Sequence, residues 1–285
     1  WGFFKKVVVA DNCALFVNGV FENYQTLDGS TLFLGAFFFT IQIYGDFSGY
    51  SDIAIGCARL FGIDLMQNFK YPYFSRDIAE FWRRWHISLT TWFRDYIYIP
   101  LGGSRAGKWK SFRNTLVIFL VSGFWHGANW TFVAWGAYHA LLFLPLLLLG
   151  QNRRYRDSVA ENSFLPSVKE LTQMGATFLL VLLGWILFRS EDISQAAVYL
   201  ERMFNVSLFS APQLVGLGFG QLLLKKCFFF TALMFVVEWI GRKQAHGLMI
   251  EDLSLPVRYV IYTVLLIIIY GFDASNPQGF IYFQF

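Results

Sequence analysis

Long apolar stretches alternate along the chain with short polar and charged clusters. The longest charge-free stretch runs from Asn114 to Asn152, between Arg113 and Arg153. Because one helical crossing of a bilayer takes about 20 apolar residues, this stretch is long enough for about two crossings. Further stretches that predict membrane helices lie at Thr31–Ile63, Leu171–Phe188, Cys227–Ile240 and Tyr259–Phe272. The pattern predicts an all-α, polytopic transmembrane protein.

Composition points to the same class of protein. Of the 285 residues, 56% are hydrophobic, 20% are aromatic and 15% are charged. A soluble domain has about a quarter of its residues charged, so the low charge content indicates a membrane protein. The net charge of +4 then bears on topology and anionic lipid headgroups, and nucleic acid is not expected as a partner. The scattered cysteines predict neither a disulfide framework nor a zinc site.

The domain organisation is expected to be simple. No internal repeat or low-complexity linker divides the sequence, which predicts a single integral-membrane domain over residues 1–285. The chain begins at Trp1 with no visible signal peptide, and we interpret it as an amino-terminally truncated fragment of a longer protein. Lys5 and Lys6 lie beside Trp1 and Phe3, a combination typical of a membrane-interface anchor.

Two carboxylates, Asp46 and Asp52, interrupt the apolar stretch Thr31–Ile63. Acids inside a membrane need partners, and we expect Ser, Tyr or Arg side chains to supply them. Catalysis is one possible role, but we interpret both acids as structural pins. Glycines of this stretch, Gly45 and Gly49 among them, predict that the helix is broken.

The segment Lys70–Arg113 is basic, with nine Lys or Arg and three acids, a balance of 9 − 3 = +6. Aromatic residues are interleaved with the charges. Helical spacing puts two sets on separate faces: Phe81, Trp85 and Trp92, and Arg83, His86 and Thr90. This predicts an amphipathic helix in the membrane interface. In one interpretation, the arginines of this helix extend to the lipid headgroups. In the other, the helix rims a cavity and presents its Arg and His side chains to an anionic or thioester substrate.

His126 lies in the middle of the charge-free stretch. It is 13 residues from Arg113, roughly 20 Å along a helix, which puts it well inside a membrane. The step Gly127-Ala128 predicts a break between two helices, and a break at this depth must line a cavity or be buried in protein. Ionisable groups inside a membrane usually mark function, although a packed, hydrogen-bonded histidine is the simpler alternative.

The chain has two histidines besides His86 and His126. His139 is interpreted as structural, and His246, in a polar loop, as solvated. None of the histidines has the HExxH spacing or another metal-binding spacing, so no metal is expected.

Three blocks of sequence carry a resemblance: QIYGDFSGYSDIAIG (Gln42–Gly56), FWRRWHISLTTWFRDYIYIPLGG (Phe81–Gly103) and SGFWHGANWTFVAWGAYHA (Ser122–Ala140). Together they resemble the membrane-bound O-acyltransferase (MBOAT) family, and within it the branch of the membrane subunits of bacterial alginate O-acetyltransferases. The resemblance implies re-entrant or interfacial helices around an intramembrane funnel. It also implies that the family's intramembrane histidine is His126 and that its second histidine is His86.

The resemblance further implies transfer of an acetyl group from a cytoplasmic thioester to hydroxyls of an exported polysaccharide, in the bacterial inner membrane. Acetyl-CoA is the expected donor, with no tightly bound cofactor, and a periplasmic or extracellular acetyltransferase is the expected partner. The chemistry agrees, since neutral imidazole is a suitable base near pH 7. His126 would be general base or transient acyl carrier, with His86 assisting. The Gly127 N–H, Asn129 or His86 could donate to the oxyanion.

Three alternatives remain at this point. The first is D-alanyl transfer to teichoic acid, which uses related blocks. The second is a transporter or channel, although many transporters show internal repeats and this sequence shows none. The third is a non-catalytic membrane scaffold for an export complex.

Overall fold

The computed structural model describes residues 1–104, 107–214, 220–272, 274 and 279–280, and this part of the chain is helical without β-strands. Ten α-helices are described: α1 (Asp11–Glu22), α2 (Gly29–Leu60), α3 (Ile78–Arg84), α4 (Ile87–Phe93), α5 (Lys108–His126), α6 (Trp130–Leu148), α7 (Val168–Arg189), α8 (Ile193–Met203), α9 (Gln221–Ile240) and α10 (Leu255–Phe272). Short π-helices at Phe4–Ala10 and Arg94–Tyr98 and short 3₁₀-helices at Pro72–Phe74 and Val206–Phe209 complete the helical segments described. The all-α prediction is confirmed.

Three of the described helices, α6, α7 and α10, are long and apolar enough to cross a membrane. They confirm that Leu171–Phe188 and Tyr259–Phe272 are membrane-helix candidates, and that the charge-free stretch contains one. The re-entrant arrangement stays a prediction. The chain folds as two compact units, Trp1–Met66 with Ala197–Phe285 (unit one) and Gln67–Ala196 (unit two). The prediction of a single membrane domain is not tested by this division.

In unit one, α2 runs unbroken from Gly29 to Leu60, so the predicted glycine breaks are wrong. The glycines instead allow close packing. A Cβ on Gly49 would lie 2.8 Å from the carbonyl oxygen of Gly2, and one on Gly45 would lie 3.1 Å from that of Lys5. The amino-terminal segment therefore packs directly on the backbone of α2.

This close packing brings the two amino-terminal lysines to the acids of α2. The Lys5 Nζ lies 2.7 Å from Asp52 Oδ2, and the Lys6 Nζ lies 2.7 Å from Asp46 Oδ1. Lys5 is buried and Lys6 is largely buried, so the predicted interface anchor is wrong for this pair. The prediction that Ser, Tyr or Arg side chains partner the two acids is corrected as well, because lysines form the ion pairs with Asp46 and Asp52.

In unit two, α5 and α6 form an antiparallel pair whose backbones touch. Gly123 on α5 faces the carbonyl of Phe132, and Gly136 on α6 faces the carbonyl of Phe119. Neither glycine has room for a Cβ without a shift of the opposite backbone. Small residues at such crossings let membrane helices approach closely, and here they hold the turn between the two helices in place.

The single amphipathic helix predicted around Phe81–Trp92 is wrong. Helix α3 ends at Arg84, Trp85 is extended, and His86 adopts a left-handed conformation with φ 43° before α4 begins at Ile87. The two predicted faces therefore do not run through one helix. A non-glycine residue in this conformation costs about 1–3 kcal/mol, and such strain often occurs at functional sites.

Arg76, Arg83 and Arg84 of unit two bind protein groups. Arg76 and Arg84 both pair with the buried Glu80, at 3.0 and 2.7 Å, and both donate to the carbonyl oxygen of Asp157. Arg83 donates to the carbonyls of Asn152 and Tyr155. These contacts hold the connection between α6 and α7 against α3. The interpretation of Arg83 as a substrate-binding group on a cavity rim is therefore not supported.

Candidate functional site

His126 is the last residue of α5, at a break that the sequence predicts correctly. Gly127 is extended and ends the helix, and Asn129 starts α6 as its N-cap, with its Oδ1 accepting from the Thr131 N–H at 3.1 Å. A side-chain oxygen at this position satisfies one of the free N–H groups of the first helical turn. The break therefore presents His126 at the tip of the α5–α6 pair.

The His126 imidazole packs among aromatic rings. Its centroid lies 5.3 Å from that of Trp135 and 5.0 Å from that of Phe188, both nearly perpendicular to it. Trp135 and Phe188 are each 1% exposed, whereas His126 is half-buried. One side of the imidazole thus rests on a rigid apolar wall contributed by α6 and α7.

His86 occupies the strained junction between α3 and α4. The Ser88 hydroxyl donates to Asn68 Oδ1 at 2.5 Å and lies 3.3 Å from His86 Nδ1. Since a hydroxyl has only one proton, the Ser88 oxygen accepts from His86, which places the imidazole proton on Nδ1. In the neutral ring, Nε2 then carries the lone pair. Asn68 thus orients Ser88, and Ser88 fixes the tautomer of His86.

Burial also sets the charge of His86. The two helices that flank it have seven residues each, too short to span a membrane. Burial lowers the pKa of His86 to about 4, because removing water disfavours the charged imidazolium. His86 is therefore neutral at pH 7.

Trp125 brings the two histidines of the candidate site together. Its ring centroid lies 5.0 Å from that of His126 and 6.5 Å from that of His86. The two imidazoles are also close enough to interact electrostatically. Sequence reasoning predicted both histidines but missed Trp125, although it directly precedes His126. Asn68 had no signal in the sequence, because only the fold places it beside Ser88.

The three predicted oxyanion donors already have protein partners. The Gly127 N–H donates to the Phe124 carbonyl at 3.2 Å, and the Asn129 Nδ2 donates to the Glu191 carbonyl at 2.6 Å. The Nδ1–H of His86 points to Ser88. The role of these groups as oxyanion donors stays a prediction.

The other two histidines lie in different environments. His139 is wholly buried on α6, with its ring 5.2 Å from that of Trp135. His246 belongs to unit one, where its Nε2 lies 3.7 Å from Asp52 Oδ2 and burial lowers its pKa. The interpretation of His246 as simply solvated is therefore wrong. Among the described residues, no group of three His, Cys, Asp or Glu side chains is arranged to hold a metal ion.

Residues 18–159 match the membrane-bound O-acyltransferase family model. The chain therefore belongs to this family, as its three sequence blocks predicted, and is a membrane protein. It is 42% identical to the probable alginate O-acetylase AlgI of Pseudomonas aeruginosa over 78% of this chain and 42% of that protein. It is 38% identical to the peptidoglycan O-acetyltransferase of Helicobacter pylori over 72% of this chain and 38% of that protein.

A third relative is named for a different activity. The teichoic acid D-alanyltransferase of Bacillus subtilis is 29% identical over 67% of this chain and 49% of that protein. The chain thus spans less than half the length of each of these three relatives. The roles of His126 and His86 in catalysis stay predictions.

Proposed function

We propose that this chain is the catalytic part of a membrane O-acyltransferase of the bacterial inner membrane, where it lies as a multi-pass protein. It moves an acetyl group from a cytoplasmic thioester towards hydroxyls of an exported polysaccharide. Family membership and the names of the two acetylating relatives support this proposal. The single observation that carries it is the pair of histidines, His86 and His126, that meet around Trp125 at two helix breaks.

In the proposed reaction, His126 acts as the general base. It takes the proton of the acceptor hydroxyl while the hydroxyl oxygen attacks the thioester carbonyl carbon and forms a C–O bond. The tetrahedral intermediate then collapses, the C–S bond breaks, and the leaving thiolate takes the proton back from the imidazolium. In the alternative, the His126 imidazole attacks the thioester carbonyl carbon, a C–N bond forms, and the C–S bond breaks with release of the thiolate. The acceptor hydroxyl then attacks the acyl group, the C–N bond breaks, and the hydroxyl proton passes to the thiolate.

His86 assists this chemistry in the proposal. Its tautomer leaves the lone pair on Nε2, so its neutral ring accepts a proton or a hydrogen bond at that atom and holds its Nδ1–H against Ser88. Trp135 and Phe188 keep water from one side of His126, which protects the thioester from hydrolysis. Acetyl-CoA is the proposed donor, without a tightly bound cofactor. A periplasmic or extracellular acetyltransferase is the proposed partner that completes transfer to the polymer.

His126→Ala tests the proposal. We expect acetylation of surface polysaccharide, measured by mass spectrometry, to fall by about 10²–10⁴-fold, the usual contribution of a general base. The matched control is His246→Ala, which removes a histidine of unit one and is expected to acetylate normally. Both variants must accumulate in the membrane to wild-type levels.

The other outcomes separate the alternatives. Full acetylation by His126→Ala overturns the proposed chemistry. Solute flux without acyl transfer would identify a transporter, and an export complex that needs the protein but not His126 would identify a scaffold. D-alanyl esters in place of acetyl groups on the wild-type polymer would identify D-alanyl transfer, the activity for which the Bacillus subtilis relative is named.

A further inference from the structure

His139 has polar atoms that the protein itself does not satisfy. It is wholly buried, and neither of its ring nitrogens has a hydrogen-bond partner among the described residues. A neutral imidazole has one donor and one acceptor, and leaving both unpaired in the interior costs folding free energy. Nearly all such groups in native proteins are paired with protein or with ordered water.

Three tryptophans around His139 share this condition. The rings of Trp82, Trp135 and Trp185 lie 5.0, 5.2 and 6.4 Å from the His139 ring, and the buried Nε1 of each lacks a partner in the described part of the chain. An indole N–H is only a donor. The cluster therefore has four donors and a single acceptor, the second nitrogen of His139, so its members cannot satisfy one another.

The excess of hydrogen-bond donors over acceptors indicates which kind of molecule could bind in the cluster. The cluster needs a small group that accepts more hydrogen bonds than one imidazole nitrogen can. A water molecule accepts two and donates two, and buried waters typically bridge about three polar groups. No charged side chain is part of the cluster, and water brings no charge into it.

The cluster adjoins the candidate site through Trp135. This indole contacts His126 on one side, at 5.3 Å, and His139 on the other, at 5.2 Å. It also stacks on Trp185 with centroids 5.8 Å apart. Any interaction that holds Trp135 in its orientation therefore holds the wall on which the His126 imidazole rests.

We propose that His139 and the indole N–H groups of Trp82, Trp135 and Trp185 form a buried site for ordered water. The same site makes His139 a positioning residue for His126, acting through Trp135. The positioning role rests on the proposed function, whereas the water site does not. The competing explanation is that His139 is a ring that only fills space between α3, α6 and α7.

The water site is tested on the wild-type protein. Cryo-electron microscopy of the full chain in lipid nanodiscs, at a resolution that shows ordered water elsewhere, should show density within hydrogen-bond distance of His139. This density should also reach at least two of the three indole nitrogens. A map with ordered water elsewhere and none at these atoms overturns the proposal, whatever the protein's activity.

The positioning role is tested with two substitutions of His139. His139→Phe keeps an aromatic ring and removes both nitrogens, and we expect kcat for acetyl transfer to fall about 10- to 100-fold with KM for the thioester unchanged. His139→Gln replaces a ring nitrogen with an amide that still binds water, and should recover most of this loss. Wild-type kcat in His139→Phe, or equal losses in both variants, overturns the positioning role.

Gly184→Ala covers the case in which His139→Phe does not accumulate. A Cβ at Gly184 would lie 2.7 Å from His139 Nε2, so it displaces the ring while keeping every polar group of the cluster. We expect a similar fall in kcat, and wild-type kcat would overturn the role of His139. Failure of the proposed function would show separately, as full activity in His126→Ala.

Discussion

The surroundings of Lys5 in unit one differ in kind from those of His126 in unit two. In unit one, Lys5 lies between Asp52 and Glu238, at 2.7 and 3.8 Å, so the buried charges are paired with opposite charges. Around His126 in unit two, the wall is built from the aromatic rings of Trp135 and Phe188. Paired buried charges are strongly held in place, whereas aromatic rings give an imidazole an apolar surface on which to pack. The comparison supports a structural role for the acids of α2 and agrees with the proposal that the chemistry lies in unit two.

Breaking a charge pair in unit one should have the largest effect. Lys5→Met leaves Asp52 and Glu238 without their shared cation, and removing one partner of a buried pair costs about 3–5 kcal/mol. We expect thermal unfolding in detergent at a clearly lower temperature, and less protein in the membrane. Asp52→Asn in the Lys5→Met background should recover part of the stability.

The control for this prediction is Lys225→Met, an exposed lysine on α9 of the same unit. Its effect should stay within about 0.5 kcal/mol, as is usual for surface substitutions. A Lys5→Met variant as stable as the control would contradict the structural role of the pair.

The second-largest expected effect is a dependence of stability on pH, caused by the neutral His86 of unit two. The pKa of His86 is about 4 in the folded chain and about 6.5 when unfolded. The unfolded state therefore binds the proton first, and stability is lost as pH falls from about 6.5 towards 4. The loss is at most about 3 kcal/mol at 1.36 kcal/mol per pKa unit.

His86→Asn provides the comparison, because asparagine cannot titrate and tolerates the left-handed conformation. Its unfolding temperature, measured between pH 6.5 and pH 4, should fall less steeply than that of the wild type. Parallel curves for the two proteins would show that His86 is not the neutral group described above.

The smallest effect is expected at Ser88. Ser88→Ala removes the acceptor that holds the proton on Nδ1 of His86, while Asn68 can still accept from the backbone N–H of residue 88. A hydrogen bond of this kind contributes about 1 kcal/mol. We therefore expect a fall of about fivefold in kcat, with little change in unfolding temperature. Ser88→Thr keeps the hydroxyl and is the matched control.

Sequence reasoning was most successful where local chemistry decides structure. A glycine after His126 and a capping asparagine at position 129 predict a helix end and a helix start, and both lie there. It failed at α2, where Gly45 and Gly49 suggested breaks but serve close packing. A glycine has the same local signature in both roles, and only the neighbouring backbone distinguishes them.

The break at His86 shows the same limit at the candidate site. Helical spacing favoured one continuous helix through this residue, but Asn68 binds the backbone of Ile87 and Ser88 from a distant part of the chain. Those contacts stabilise a left-handed residue that local preference disfavours. The pairing of Lys5 with Asp52 was likewise invisible, since it joins residues far apart in sequence.

The sequence by itself determined the membrane class, most of the apolar helices, the break after His126 and the family. These features depend on composition, on hydrophobic runs and on short motifs, all of which act locally. Only the tertiary structure decided that Trp125 joins His126 to His86, that Ser88 sets a tautomer and that His139 lies in a donor-rich cluster. Those arrangements depend on which side chains meet across helices, and hydrogen bonds and packing between distant residues decide that.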